Sequence, residues 1–303
     1  MTGGEPKSEA DRQLPTGDEI FLDHVGHFVP DPQAASRALE RAGFAPTPVS
    51  IQVNPDPAGG SPKPSGTGNL TAMFRRGYVE VLFRSADTPL GRDLAAALAR
   101  YAGLHLAAFA VADAPAAHQR LAQAGFRTQP LVAMQRPVET VQGPDIAAFT
   151  IARLEPGQMP EGRIQILTHR TEHTVWQPRW LDHPNGAVGL AGLTIAVADP
   201  DEAAVRFARF TGQRARAAEG GCAIALDRGR IELLAPEAFS RQFPEIAIPS
   251  LPFMGACTIA VRSLATAEGM LRQGGIAVRR DGGRLIARFP DELGVGAWVF
   301  EEA

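Results

Sequence analysis

Cysteine is nearly missing: the 303 residues carry two, Cys222 and Cys257. Two thiols without a C-x-x-C spacing build neither a disulfide framework, nor a zinc knuckle, nor a redox motif. A reducing, cytoplasmic setting is expected from that. An excess of charge is missing too, since 30 basic side chains face 33 acidic ones and leave a formal charge of −3. Such a balance gives no general field for a nucleic acid or an anionic membrane, so neither is expected as a partner. No stretch approaches the roughly 18 consecutive apolar residues that would span a bilayer. Residues 1–18 have no apolar period and no apolar core of a signal peptide, and residues 1–19 read as a flexible tail. Histidine is confined to one part of the chain: His24, His27, His105, His118, His169, His173 and His183 all precede residue 184. With so few thiols, a metal site would have to draw on histidine and carboxylate ligands.

What is present is the composition of a folded protein. Hydrophobic residues make up 45% and charged residues 21%, at a length that suffices for two ordinary domains. From Phe21 onward the chain repeats a pattern. Leu22-Asp23-His24-Val25-Gly26-His27-Phe28-Val29 reads as a strand, Asp31 as a cap, residues 32–42 as a helix, and Gly43-Phe44 as its stop. The pattern returns at residues 104–126, at 193–212 and at 257–275. Asp or Ser before each helix can satisfy orphan amide groups, and Gly after it permits a left-handed closing residue. About three strand-like runs follow each helix, so every unit reads as βαβββ. The first two units are longer because of their loops, notably the Pro/Gly/Ser-rich stretch 54–68, expected to be a lid or an excursion. The expected division is a tail (1–19), an N-terminal domain of two modules (20–169), a linker (170–189) and a C-terminal domain of two degenerate modules (190–303).

Particular residues give this pattern a family likeness. They are Asp23-His24-Val25, Gly66-Thr67-Gly68-Asn69, Tyr78-Val79-Glu80-Val81-Leu82, the run from Gly162 to His169, and His183-Pro184-Asn185-Gly186-Ala187. With them the chain resembles the glyoxalase-like domain proteins of the vicinal-oxygen-chelate superfamily. The resemblance implies an α+β fold of four βαβββ modules, paired into two domains with curved, partly open barrel-like sheets. It is specific for fold and weak for reaction, because that superfamily spans isomerases, lyases, dioxygenases, transferases and binding proteins.

In metal-dependent members each module offers one ligand from its first strand and one from its last. His24 and Glu80 match that pattern. The second module matches less well, because alignment of the last strands puts Gln165 in the carboxylate position. His105 lies on the matching opening strand but one residue out of register, since His24 aligns with Leu106. Without a bulge His105 faces away from the cavity; with one it could enter. His24, Glu80, His105 and Gln165 are thus the candidate ligands of a divalent metal, and the ligand types do not choose among Zn, Mn, Ni and Fe. In the third and fourth modules the positions matching His24 are Gly192 and Ala256, and only Glu232 matches Glu80, so no metal is expected there.

The expected substrate contacts are Asn69, Arg136, His169 and Trp176. Arg136 can clamp a carboxylate bidentately. His169 shares strand parity with Gln165, and Trp176 stands where it can cover a pocket mouth. Arg153 and Arg163 have a plainer alternative as solvated strand residues, and Trp180 as a pin for the linker. The resemblance implies a metal-dependent lyase or isomerase acting on a small oxygenated compound, with Glu80 as the general base. The rival is a metal-free protein that binds a small molecule in the same cavity. A homodimer is left open.

Overall fold

Asp31, Asp113, Asp199 and Ser263 start four helices in the same way. Their side-chain oxygens accept from backbone N–H groups of the first turn: those of Gln33 and Ala34, of Ala116, of Asp201 and Glu202, and of Thr266. A cap of this kind contributes about 1 kcal/mol. Proline occupies the first turn of the three Asp-capped helices, where its missing N–H costs nothing. The structure, a computed structural model, describes residues 12–54, 56 and 59–303.

Each capped helix sits in a βαβββ module. The first comprises β1 (Ile20–Phe28), α1 (Pro32–Arg41), β2 (Ser50–Asn54), β3 (Lys63–Met73) and β4 (Tyr78–Arg84). After α2 (Pro89–Arg100), the second follows as β5 (Gly103–Val111), α3 (Ala114–Gln123), β6 (Val132–Thr140), β7 (Gly143–Arg153) and β8 (Arg163–His169). The short α4 (Glu172–Val175) then leads to the third module: β9 (Ala187–Ala196), α5 (Pro200–Thr211), β10 (Ala215–Ala218), β11 (Gly221–Ala225) and β12 (Arg230–Leu234). Past α6 (Pro236–Gln242) lies the fourth: β13 (Phe253–Val261), α7 (Leu264–Gln273), β14 (Val278–Asp281), β15 (Arg284–Arg288) and β16 (Ala297–Glu302).

Within each pair the opening strands run antiparallel, β1 with β5 and β9 with β13, and each module's last strand lies parallel to its first. In the first pair, β2 meets β6 at Val53 and Gln135, which closes eight strands into a barrel. No such pairing joins β10 to β14 among the described residues, so the second pair remains an open cup. Met254 of β13 pairs with Leu104 of β5 and makes one sheet of the two halves.

The four helices cover the outer surface of this sheet. Leu39, Leu121, Phe207, Phe210 and Leu271 from the helices share one core with Val25, Phe109, Leu193 and Ile259 from the strands. Because both faces of the opening strands are covered, their residues are buried almost without alternation. A second core lines the interior of the barrel around a small polar cavity, and a third fills the cup.

Three features differ from what composition suggests. The helices α2 and α6 lie between modules, where the repeat alone shows none. The stretch 54–68 is not loop throughout: β3 begins at Lys63, with Gly66 and Gly68 packed against Thr88 and Phe83 where a side chain would not fit. Of the tail expected over 1–19, residues 1–11 lie outside the described residues. Arg12 pairs with Glu19 at 2.8 Å, and its carbonyl accepts from Arg228 at 2.7 Å. Between the halves, His183 accepts from Ala45 N and donates to Met73 O, at 2.9 and 2.7 Å, tying this segment to the first module. No helix among the described residues is long and apolar enough to cross a membrane.

Candidate functional site

The site follows from an irregularity that all four modules share. Asp23 on β1 and His105 on β5 are skipped in the pairing of those two strands, as Ala191 and Gly255 are skipped between β9 and β13. Three residues beyond each bulge the chain faces the last strand of its own module: Gly26 faces Glu80, Ala108 faces Gln165, Thr194 faces Glu232, and Thr258 faces Val299. The position after each bulge holds His24, Leu106, Gly192 and Ala256. Only the first module therefore combines an imidazole with a carboxylate. His105 occupies the place that Asp23 has in the first module, behind the inward position rather than at it.

His24 and Glu80 turn into a cavity of about 30 Å³, room for one ion or about two waters. His24 Nε2 lies 3.6 Å from Glu80 Oε2. Each group is held from behind. His24 Nδ1 lies 2.6 Å from Asp23 Oδ1, and since a carboxylate only accepts, Nδ1 carries a proton and Nε2 is the ring atom turned to the cavity. Asn69 Nδ2 donates to Glu80 Oε1 at 2.6 Å, leaving Oε2 free. The Tyr78 ring stacks on His24 with centroids 4.3 Å apart. Burial, and after it the Asp23 and Glu80 carboxylates, push the Tyr78 phenol well above its usual value, so it stays neutral.

His169 lies outside this cavity. Its Nε2 donates to Asp23 Oδ2 at 2.9 Å, and its ring meets Trp176 and Phe149 edge-on at 4.6 and 5.0 Å. Asp23 thus spans two histidines in full burial. Burial opposes its ionisation, but His169 and His24 outweigh that and hold its carboxyl well below the usual range. Trp176 is buried as well: its Nε1 donates to Phe74 O at 3.1 Å, and it backs Tyr78 at 6.0 Å. His105, despite its bulge, points elsewhere. Its Nε2 donates to Tyr101 O at 2.8 Å, its ring stacks on Tyr101 at 4.0 Å, and burial lowers its pKa to about 4.

Gln165 does reach the cavity, where its Oε1 accepts from Arg153 Nε at 3.2 Å. Arg136 from β6 and Arg163 from β8 complete the polar lining with Gln52, and Leu82, Leu106 and Leu167 supply apolar walls. The structure therefore gathers His24, Asn69, Glu80, Arg136 and Gln165 around one space, and leaves His105, His169 and Trp176 out of it. Sequence reasoning gave no role to Asp23, Tyr78 or Gln52. Asp23 had a signal, the Asp-His pair on an opening strand, but its direction depends on a bulge that has no local spelling. No three His, Cys, Asp or Glu side chains converge as a metal site among the described residues.

Paired βαβββ modules around a cavity are the architecture of the vicinal-oxygen-chelate fold. The chain belongs to the glyoxalase-like domain family, whose pattern it matches over residues 22–211. Solved structures share the fold at low identity. A hypothetical protein from Staphylococcus aureus superposes with a TM-score of 0.65 at 8% identity, covering 94% of this chain and 100% of that one. The Mn(II)-bound glyoxalase from Novosphingobium aromaticivorans gives 0.53 at 13%, over 94% and 83% of the two chains. A mutant 4-hydroxymandelate synthase from Streptomyces coelicolor gives 0.53 at 14%, over 93% and 92%. No curated protein matches the sequence.

Proposed function

We propose that the N-terminal barrel is the active site of an enzyme of the lyase or isomerase type, acting on a small oxygenated compound with the help of one divalent metal ion. The observation that carries this is the pair His24 Nε2 and Glu80 Oε2, 3.6 Å apart in one cavity, each oriented by a hydrogen bond from behind. Two ligands about 2.1 Å from a common ion stand roughly 3.0–3.5 Å apart, so the pair fits an ion with little movement. A carboxylate behind a ligating histidine is also the support such a ligand needs. The Gln165 amide oxygen would be a third, weaker ligand, and positions left open would take solvent or substrate oxygens. When bound, the ion supplies Lewis-acid polarisation of a substrate oxygen.

The remaining roles belong to the chain. Asp23 fixes the His24 tautomer. Asn69 occupies Oε1 of Glu80, so Oε2 is the atom that would ligate the ion and, once a substrate oxygen had displaced it, would take a proton from substrate. Leu82, Leu106 and Leu167 exclude water. Metal analysis of protein prepared without a His-tag tests the proposal: uptake of one equivalent of Mn, Zn, Ni or Fe is expected, lost in Glu80→Ala. A chain that takes up none of these ions ends the metal-dependent version.

A second reading, a metal-free binding protein, has its own observation. Leu106 stands in the position of His24, and Arg153 already engages Gln165. A ligand-induced rise in thermal stability that survives a chelator supports that reading.

A further inference from the structure

We infer that the barrel binds a small organic anion, its carboxylate or phosphate gripped by Arg153 and Arg163 and its apolar body seated in the neighbouring pocket. This takes the proposed site as its starting point but does not depend on the metal. Arg153 pairs with Gln165 across β7 and β8, and Arg163 lies two residues before Gln165 on β8, so the two guanidiniums share the inward face. Both line the small inner cavity, and both line a second pocket of about 290 Å³ beside it. They stand at the junction between the two spaces.

Neither arginine forms an ion pair with a carboxylate among the described residues. Arg153 has its bond to Gln165, and Arg163 lies over the Phe28 ring at 5.1 Å. Arg136, on the opposite side of the inner cavity, forms no ion pair either. The inner lining thus presents three guanidiniums and a single carboxylate, Glu80. The outer pocket adds Arg100, Asp93 and Glu155, but Glu155 is engaged by Arg127 at 2.8 Å and Asp93 forms no ion pair with Arg153 or Arg163. Like charges turned toward one half-buried space repel, and the repulsion grows as water is excluded. Burial, and after it the charge of Arg153, lowers the Arg163 pKa to about 10, and the Glu80 and Asp93 carboxylates offset this only in part.

The missing counter-charge is what an anionic ligand would bring, and the planar guanidinium fork is suited to a carboxylate or phosphate. Phe28, Leu90, Ala97, Leu154, Met159 and Ile164 offer the outer pocket's apolar surface. An acid held at the junction has its body there and its remaining oxygens toward His24 and Glu80.

Calorimetric titration of the full chain in chelator compares benzoate with its uncharged isostere benzamide, and adds inorganic phosphate. Benzoate is expected to bind at least about tenfold more tightly than benzamide, the worth of one charge-assisted hydrogen bond. That preference should collapse in Arg153→Gln and Arg163→Gln, while Arg163→Lys, which keeps the charge but not the fork, retains part of it. Glu80→Gln, which removes the one opposing charge, should tighten benzoate. Phosphate binding lost in the same two variants also supports the anion site and assigns the group to a phosphate ester. Equal binding of acid and amide, binding of neither the acid nor phosphate, or a preference that survives the two substitutions overturns the inference. Manganese uptake, measured separately on the same samples, decides the metal: a chain that takes none yet prefers the acid keeps the anion site and loses the metal-dependent reading.

Discussion

After the last strand of the first module, α2 lays Leu94 into the barrel and Leu90 over a cavity that stays polar beneath it. After the last strand of the third module, α6 brings Phe239, with Phe243 just beyond its end, into the cup, where Phe253 and Ile246 join them. Those rings cover Ala256 and Val299, the counterparts of His24 and Glu80. The fit is close: a Cβ on Gly255, the counterpart of Asp23, would run into the Phe239 ring. The remaining carboxylate of the second pair, Glu232, accepts from Thr194 and Arg230 at 2.9 and 3.2 Å. One module design therefore has two outcomes. Where the inward positions are polar the interior stays hollow, and where they shrink to Gly, Ala and Val an inter-module helix fills the space with aromatic carbon.

The largest expected effect is on the filled side. Phe239→Ala should cost about 3–5 kcal/mol in urea unfolding, because the packed cup cannot collapse around the lost ring. It should leave manganese uptake per folded chain unchanged; a parallel loss of uptake would break the separation between the halves.

Next comes acid sensitivity at the seam between them. His27 is buried against Leu293 O at 3.0 Å, and burial lowers its pKa to about 4, as it does for His105 beside Tyr101. Both rings stay neutral in the fold down to about pH 4, whereas unfolded histidines take up protons near pH 6.5. Stability is thus complete above about pH 6.5 and falls as the pH drops toward 4, by up to about 3 kcal/mol for each ring. His105→Gln should remove its share of that slope in denaturation curves across this window.

A smaller effect is expected at the hollow side. Asp23→Asn leaves His24 and His169 competing for one acceptor, which should cost about 1–3 kcal/mol. It should also weaken manganese uptake about 10–100-fold, as the loss of a ligand's support does. Uptake that stayed at the parent level would show that the orientation of His24 does not matter. The smallest effect is of the opposite sign. Arg163→Gln relieves the repulsion with Arg153 and should raise the stability of the ligand-free chain by about 0.5–1 kcal/mol, at the expense of binding. A fall in stability instead would mean that the arginine serves packing over Phe28.

Much of this contrast is legible in the residues. The cap-helix-glycine pattern marks the four modules, and the register count that sets His24 opposite Leu106 in the alignment agrees with the strand pairing. The helices α2 and α6 were missed, although Thr88-Pro89 followed by Leu90, Leu94 and Leu98 has the cap and the spacing of a helix. The repeat recurs within modules, and these helices lie between them. His105 shows a different limit. The bulge that could have turned it inward is present, but it turns the next residue, Leu106, to the cavity and leaves His105 behind the strand. In the sequence Arg153 and Arg163 read as solvated strand residues, but the closure of the curved sheet by β2 and β6 turns them toward a half-buried interior. That closure joins segments about 80 residues apart.

By itself the sequence determined the module, its number, and which module carries an imidazole and a carboxylate, because caps, stops and strand periods are local and each residue spells its own part. The tertiary structure alone decided which of Asp23 and His24 looks inward, which arginines meet, and why one interior is hollow and the other full. Those outcomes depend on bulges, barrel closure and inter-module helices, whose energies come from contacts between residues far apart in the chain.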